Sequence, residues 1–425
     1  MNVILGGGPA GMFCAHELKE YGQKSVIIEK EKHVGGLAAT HTFGNNRFEV
    51  GPHIVYTQDD YILKIIKEYL GDDLIEKKWS VAQYIEGYLF KFPNSALDML
   101  KNLGFLRMSQ FLISYLKNRG KAYDKYTEFI YSKVGIKLAE FNVINYTTKM
   151  WGVGLDELET EWIKPRLDRL SILDIFKNTL KPKKRTFLYP KFGSGQLYSE
   201  MQKNMNVHLL EFPLKIEIQE KKVIKLTTNK QEYNVSQLYS SLGIKELVKL
   251  LHPKAPLNII KACEKLKYRS QVYVVLKLNQ KSILDYQWIY FNELKYPFCR
   301  IHEPKKFTDL TDPSDESLLV IEYFCFFNDP IWNLSENKIV ALSISSLSSL
   351  AIINQIAVKD TLVIRKRNAY PMMTLDRQTH LNIIFEYLEQ IENLHTMGRH
   401  GLHTYDNQDS AGRSAVGVVR ESLKN

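Results

Sequence analysis

Long apolar runs are missing from this 425-residue chain. No segment approaches the ~18 consecutive apolar residues that span a bilayer as a helix. The most apolar stretch, Leu318 to Phe327, is broken by Glu322. Cysteine is scarce, and Cys14, Cys263, Cys299 and Cys325 form no C-x-x-C pair. That spacing argues against a metal site or a disulfide framework and predicts four small core residues. No internal repeat or low-complexity tract occurs. Nucleic-acid motifs are absent too. The net charge is +10, but the basic residues are strung singly along helices and turns, apart from Lys181-Pro-Lys-Lys-Arg185 and Arg365-Lys-Arg367. Solvated surface accounts for most of that charge. An apolar strand begins at residue 2, which predicts a chain without a leader and a cytoplasmic location.

What the sequence does contain stands at its start. Asn2 to Leu5 is a short apolar run, and Gly6-Gly-Gly-Pro-Ala-Gly11 follows at once. Gly6, Gly8 and Gly11 fit G-x-G-x-x-G between a strand and a helix. The first glycine permits the tight turn, the second lets a pyrophosphate approach the backbone, and the third lets helix and strand pack closely. Phosphates then meet free N–H groups at the positive end of the helix, with Pro9 and Ala10 in its first turn. A second buried strand, Ser25 to Ile28, ends in Glu29. An acid at that distance is placed to accept both ribose hydroxyls, with Lys30 beside it. Gly35-Gly36-Leu37 follows in one short loop. A second Gly pair after the acid is what FAD-binding flavoproteins of the two-dinucleotide fold carry, so the expected cofactor is FAD rather than NAD. No second G-x-G-x-x-G has strand and helix flanks, so no dedicated NAD(P)H domain is expected. Electrons for the flavin then come from the substrate, a partner protein or a loosely bound nicotinamide.

The expected fold class is α/β. Residues 1–58, 190–250 and 365–425 are read as a discontinuous FAD-binding Rossmann-like domain. Residues 59–150, rich in helix formers with apolar positions at three- and four-residue spacing, are read as an inserted helical domain. Residues 151–189 and 251–364 are read as a substrate-side domain with an antiparallel or mixed β-sheet. Ser236 to Leu242 is expected to return to the nucleotide-binding sheet.

Six segments, in order, carry a resemblance. They are Gly51-Pro-His53-Ile; Asn145 to Trp151; Trp162 to Arg169; Tyr189-Pro-Lys-Phe-Gly; Tyr296 to Phe307 around Arg300; and Tyr370-Pro371 with Met397-Gly398-Arg399-His-Gly401. Together they resemble the FAD-dependent amine oxidase and protoporphyrinogen-oxidase-like superfamily, and within it the UDP-galactopyranose mutases. The resemblance implies a pyranose–furanose isomerase acting on a nucleotide sugar, with N5 of reduced flavin as nucleophile. It implies His53 beside the flavin ring, Arg300 and Arg169 on a sugar-nucleotide pyrophosphate, and Gly398 and Arg399 at the cofactor. The stretch His403-Thr-Tyr405-Asp406-Asn407 departs from the mutase pattern, which has paired tyrosines and an aspartate. Glu322-Tyr-Phe-Cys and Asp329-Pro-Ile-Trp332 look more like protoporphyrinogen-oxidase-like relatives. Two further readings therefore stand: an FAD-dependent oxidoreductase working by hydride transfer, and a non-catalytic flavoprotein of a polysaccharide pathway. An external reductant is implied, and a homodimer is one option for the assembly.

Each candidate has a structural alternative. His53 is either a flavin neighbour or a capped core histidine. Arg300 sits among apolar residues, where an unpaired charge is expensive, so it meets either a diphosphate or an internal acid such as Glu303. Arg166 and Arg169 fall on one helical face. Trp151 stacks on a base or sugar, or fills a core, and Tyr370 and Tyr405 are candidates for sugar or phosphate contact. Asp409 reads as the N-cap of the last helix, whose positive end in this superfamily faces the flavin.

Overall fold

 The computed structural model describes residues 1–160, 163–164, 185–308, 310, 313 and 315–424. Its first layer is a five-stranded parallel sheet whose central strand is the chain's opening one, Asn2–Leu5. That strand is buried throughout and reads as a continuous apolar run, as a parallel strand covered on both faces should. Ser25–Glu29 pairs on one side of it and Gln237–Ser240 on the other, so the expected return at 236–242 occurs. Val207–Leu209 and Leu394–Thr396 form the edges.

Two helices cover the core behind the opening turn. Pro9–Glu20 is buried along Ala10 to Leu18, and Gln408–Ser422 packs on it through Ala411, Ala415, Val416 and Val419. The contact is close: a Cβ on Gly412 would lie 2.8 Å from the Phe13 ring. The far end of the sequence is thereby built into the opening motif.

The second layer is a seven-stranded mixed sheet. Tyr268–Leu278, Ser317–Cys325 and Val358–Pro371 form its antiparallel centre. Arg300–His302 and Trp288–Phe291 extend it, and Val81–Ile85 and Tyr88–Lys91 complete it. Those last two strands fall inside 59–150, the stretch read as an inserted helical domain. Val81–Ile85 is mostly buried against Trp288–Phe291, and tertiary pairing there overrides the local helical pattern. Helices do follow, at Ala96–Asn118, Tyr126–Val134 and Asn145–Trp151, around a core of Phe111, Phe129, Phe141 and Trp151.

The four cysteines are all buried and unbridged. Among the described residues there is no group of three or more metal-ligating side chains. No described helix is long and apolar enough to cross a membrane.

Candidate active site

The opening turn is shaped for a nucleotide. Gly6 has φ +97°, a conformation that glycine adopts without cost. A Cβ on Gly11 would fall 1.9 Å from the Gly6 carbonyl oxygen, so only glycine permits the helix to cross the strand here. Gly8 is the N-cap of Pro9–Glu20, with no side-chain cap and no acid in the first turn. The first N–H groups are left to a ligand. Gly36 lies directly against this turn: a Cβ on it would come 3.2 Å from the Gly8 Cα. The Gly35 N–H donates to the Gly7 carbonyl at 2.8 Å, which fixes the second Gly loop, including Leu37, beside the first.

Glu29 is buried at the end of its strand, and its carboxylate accepts from the Gly7 N–H at 2.6 Å and the Glu31 N–H at 2.8 Å. Lys30 next to it is exposed. Gly398, with φ +72°, covers the turn from above, where a Cβ would meet the Ala10 methyl at 2.6 Å. Its N–H donates to Ser414 Oγ in the last helix at 3.1 Å.

A second group of residues gathers on the seven-stranded sheet. Arg300 and Glu322 are direct cross-strand partners. Nε and one terminal nitrogen of Arg300 donate to the two carboxylate oxygens of Glu322, each at 2.7 Å. The partner expected for an internal pair, Glu303, is engaged elsewhere: it accepts from the Ile283 and Leu284 N–H groups and from Ser317 Oγ. Glu322 is fully buried, and burial alone would raise its carboxyl. The Arg300 charge, with hydrogen bonds from His302 and Arg300, holds it down to about 2. His302 Nδ1 lies 3.2 Å from Glu322, and its Nε2 lies 3.2 Å from the Glu49 carbonyl. The Glu49 carboxylate in turn accepts from Thr40 Oγ1, Tyr189 Oη and the Ser194 N–H, each at 2.9 Å. Burial pushes that carboxyl up. A continuous buried polar chain therefore joins the sheet of Arg300 to the hairpin that follows the second Gly loop.

His53 stands at the head of this chain. A Cβ on Gly51 (φ +116°) would lie 3.5 Å from an Arg300 nitrogen, 3.7 Å from His53 Nε2 and 3.8 Å from Glu322. Burial, with the Arg399 and Arg300 charges, holds the His53 imidazole down to about 3. Among the described residues nothing hydrogen-bonds its buried Nε2. A buried polar atom without a partner asks for a ligand.

The remaining wall is aromatic. Tyr370 and Tyr405 stack with centroids 5.6 Å apart, and Trp151 meets Tyr405 edge-on at 5.7 Å. The Arg399 guanidinium lies 4.7 Å above the Tyr370 ring and donates from Nε to the Asp406 carbonyl at 2.8 Å. The helix that ends in Trp151 is anchored by two cations, Lys149 and Arg269, that the sequence reading missed. Lys149 Nζ donates to the carbonyls of Phe291, Glu293 and Phe298 at 2.8, 3.0 and 2.7 Å, and burial holds its ammonium down to about 8. Arg269 donates to the Met150 and Lys149 carbonyls at the end of the Asn145–Trp151 helix, which is a C-terminal cap.

Asp409 does not cap the last helix. Asn407 is the N-cap, without a side-chain bond, and Asp409 sits in the first turn. There it lies beside Tyr198 in a small cleft lined also by Phe13, Ile54 and Gln408. An acid in a first turn still suits the helix dipole. Arg166 and Arg169 lie outside the described residues. Of the missed groups, Glu322 carried a visible signal, an acid inside the longest apolar run. His302, Glu49 and Lys149 carried none, because each gains its meaning from a distant segment.

A glycine cradle with a buried acid, set in a parallel sheet, defines a Rossmann-like α/β fold of the dinucleotide-binding kind. Comparison with known proteins agrees. Residues 4–69 match the NAD(P)-binding Rossmann-like domain family, and residues 142–342 match the UDP-galactopyranose mutase family. A UDP-galactopyranose mutase of Mycoplasma pneumoniae (strain ATCC 29342 / M129 / Subtype 1) is 21% identical over 168 residues, 37% of this chain and 42% of that protein. The chain thus matches under half the length of that relative. The crystal structure of a reduced UDP-galactopyranose mutase superposes with a TM-score of 0.84 at 17% identity, covering 100% of this chain and 95% of the other. A putative protoporphyrinogen oxidase from Exiguobacterium sp. 255-15 gives 0.79 at 17%, covering 100% and 99%. A putrescine oxidase variant gives 0.68 at 13%, covering 100% and 99%. Over residues 142–342 the chain is similar to UDP-galactopyranose mutases, and its fold is shared with a reduced UDP-galactopyranose mutase and with oxidase-like proteins.

Proposed function

We propose that this protein binds FAD and acts on a nucleotide sugar, interconverting pyranose and furanose forms. The observation that carries the reading is His53: its buried Nε2 has no partner among the described residues, and it lies beside Arg300 and Glu322 and within the field of Arg399, next to the Gly398 that packs on Ala10 of the cradle. The cradle fits the adenylate half of FAD. Its backbone is bare at Gly8 and Gly36, and Glu29 is already oriented by two N–H groups. When bound and reduced, FAD would supply the nucleophilic centre, so no protein nucleophile is required.

The chain's own residues would do the rest. Arg300, with Nη1 outside its bidentate pair, would meet the diphosphate as negative charge grows on it. Glu322 would keep that guanidinium at a fixed angle. Tyr370 and Tyr405 would flank the sugar and exclude water, with Trp151 buried behind Tyr405 as their support. His53, kept neutral, would present Nε2 as a hydrogen-bond partner rather than a charge. Arg166 and Arg169 remain candidates for the same diphosphate. The location we infer is cytoplasmic.

The likeness to a putrescine oxidase and a putative protoporphyrinogen oxidase supports a second reading, FAD-dependent oxidation by hydride transfer. One experiment separates the two. Purified protein should be yellow; dithionite-reduced protein incubated with UDP-galactopyranose should yield a furanose product. Absence of that product, with substrate-dependent peroxide formation, would replace the mutase reading by the oxidase one. A colourless protein that FAD cannot reconstitute would end both.

A further inference from the structure

The helix Ala96–Asn118 bends at Gly104 (φ 77°, ψ 168°) and is pinned to the molecule by Met99, Phe111 and Ser114. Its other side is apolar and open. Phe105 and Leu106 are 76% and 78% exposed, and Leu112, Ile113 and Leu116 follow at 42%, 52% and 51%. Their spacing places all five along one helical face. Leu97 and Leu100 extend the strip on the near side of the bend, at 64% and 40%. A contiguous exposed strip of this kind marks an interaction surface.

The surrounding charge selects the partner. Residues 96–125 hold six basic side chains and two acidic ones. Lys101, Lys117, Arg119, Lys121 and Lys125 are exposed. Arg107 is paired with Glu86 at 2.6 Å, and Asp98 is occupied by Asn102 and the Lys91 N–H. What faces solvent around the apolar strip is therefore mainly positive. A second copy packed face to face would set this basic fringe against its own like. An anionic lipid surface would neutralise it while taking up the apolar side chains.

We infer that this helix docks the protein on an anionic membrane surface, lying in the headgroup plane with Phe105, Leu106, Leu112 and Ile113 inserted. The inference is independent of the flavin and of the reaction. The full-length protein should sediment with vesicles of phosphatidylcholine mixed with phosphatidylglycerol and stay in solution with phosphatidylcholine alone. Raising the salt should release part of it. The pair Phe105→Ser with Leu106→Ser, and separately Lys117→Glu with Lys121→Glu, should each lower partitioning by about tenfold or more. Because all four side chains are solvent-exposed, both variants should keep the wild-type melting temperature and far-UV circular dichroism. Failure to sediment with anionic vesicles overturns the inference, as does unchanged partitioning of both variants. A dimer in sedimentation velocity that the serine pair dissociates, without vesicle binding, assigns the face to a second copy instead.

Discussion

At the residue scale the site depends on charges that cannot be left alone. Glu322 has no exposure and relies on Arg300 and His302. Arg300→Ala should destabilise the fold by about 3–5 kcal/mol, since it strands a buried carboxylate. Adding Glu322→Gln should restore part of that loss, because the stranded charge goes too. Urea unfolding of the single and double variants measures this; a double variant no more stable than Arg300→Ala would refute the pairing as the source of the cost. UDP affinity should fall in both. Gly11→Ala is a second test at this scale. Its methyl cannot coexist with the Gly6 carbonyl at 1.9 Å, so purified protein should lose bound FAD. Retention of a full flavin complement would show that the helix can move aside. Gly11 was legible from the sequence alone, since strand, turn and helix are neighbours in the chain. The Arg300–Glu322 pair was only half legible. The need for a partner was evident from Arg300's apolar setting, but its identity depended on which strands lie side by side.

At the scale of single elements, the Asn145–Trp151 helix is the joint between the aromatic wall and the loop leading to Arg300. Lys149 gathers three carbonyls of that loop, and Arg269 caps the helix end. Lys149→Met would leave those acceptors with no ammonium and should cost about 3 kcal/mol. It should also weaken UDP binding, because that loop leads straight into the strand that begins at Arg300. A loss under about 1 kcal/mol in urea titration would mean that water replaces the ammonium freely. Sequence periodicity identified the strands at 268–278 and 318–327 because each is an apolar run with β-branched and aromatic residues. It failed at 81–91, where a short pattern is decided by the neighbour that Trp288–Phe291 provides. It failed also at Asp409, where the helix begins two residues earlier than the acid suggests.

At the scale of the whole molecule, four histidines are kept neutral by burial. His53 and His403 are held down to about 3, and His41 and His400 to about 4, from the ordinary 6.5. The unfolded chain takes up protons at these sites at a pH where the native chain does not. Their contribution is therefore complete above pH 6.5 and is lost as the pH falls toward 4. Glu322 adds to the loss between 4.5 and 2. The melting temperature should hold level near neutrality and drop steadily on acidification; a flat profile down to pH about 5 would contradict the neutral assignments. The packing of Gln408–Ser422 on Pro9–Glu20, with Gly398 over Ala10, reaches beyond stability. The lid of the nucleotide cradle is encoded almost four hundred residues after its floor (Gly11 to Gly398). A nascent chain that has not yet reached residue 398 owns the floor without this neighbour, so the cradle is complete only once Gly398 and the helix Gln408–Ser422 have been made. C-terminal trimming as far as Gly398 should yield a colourless protein.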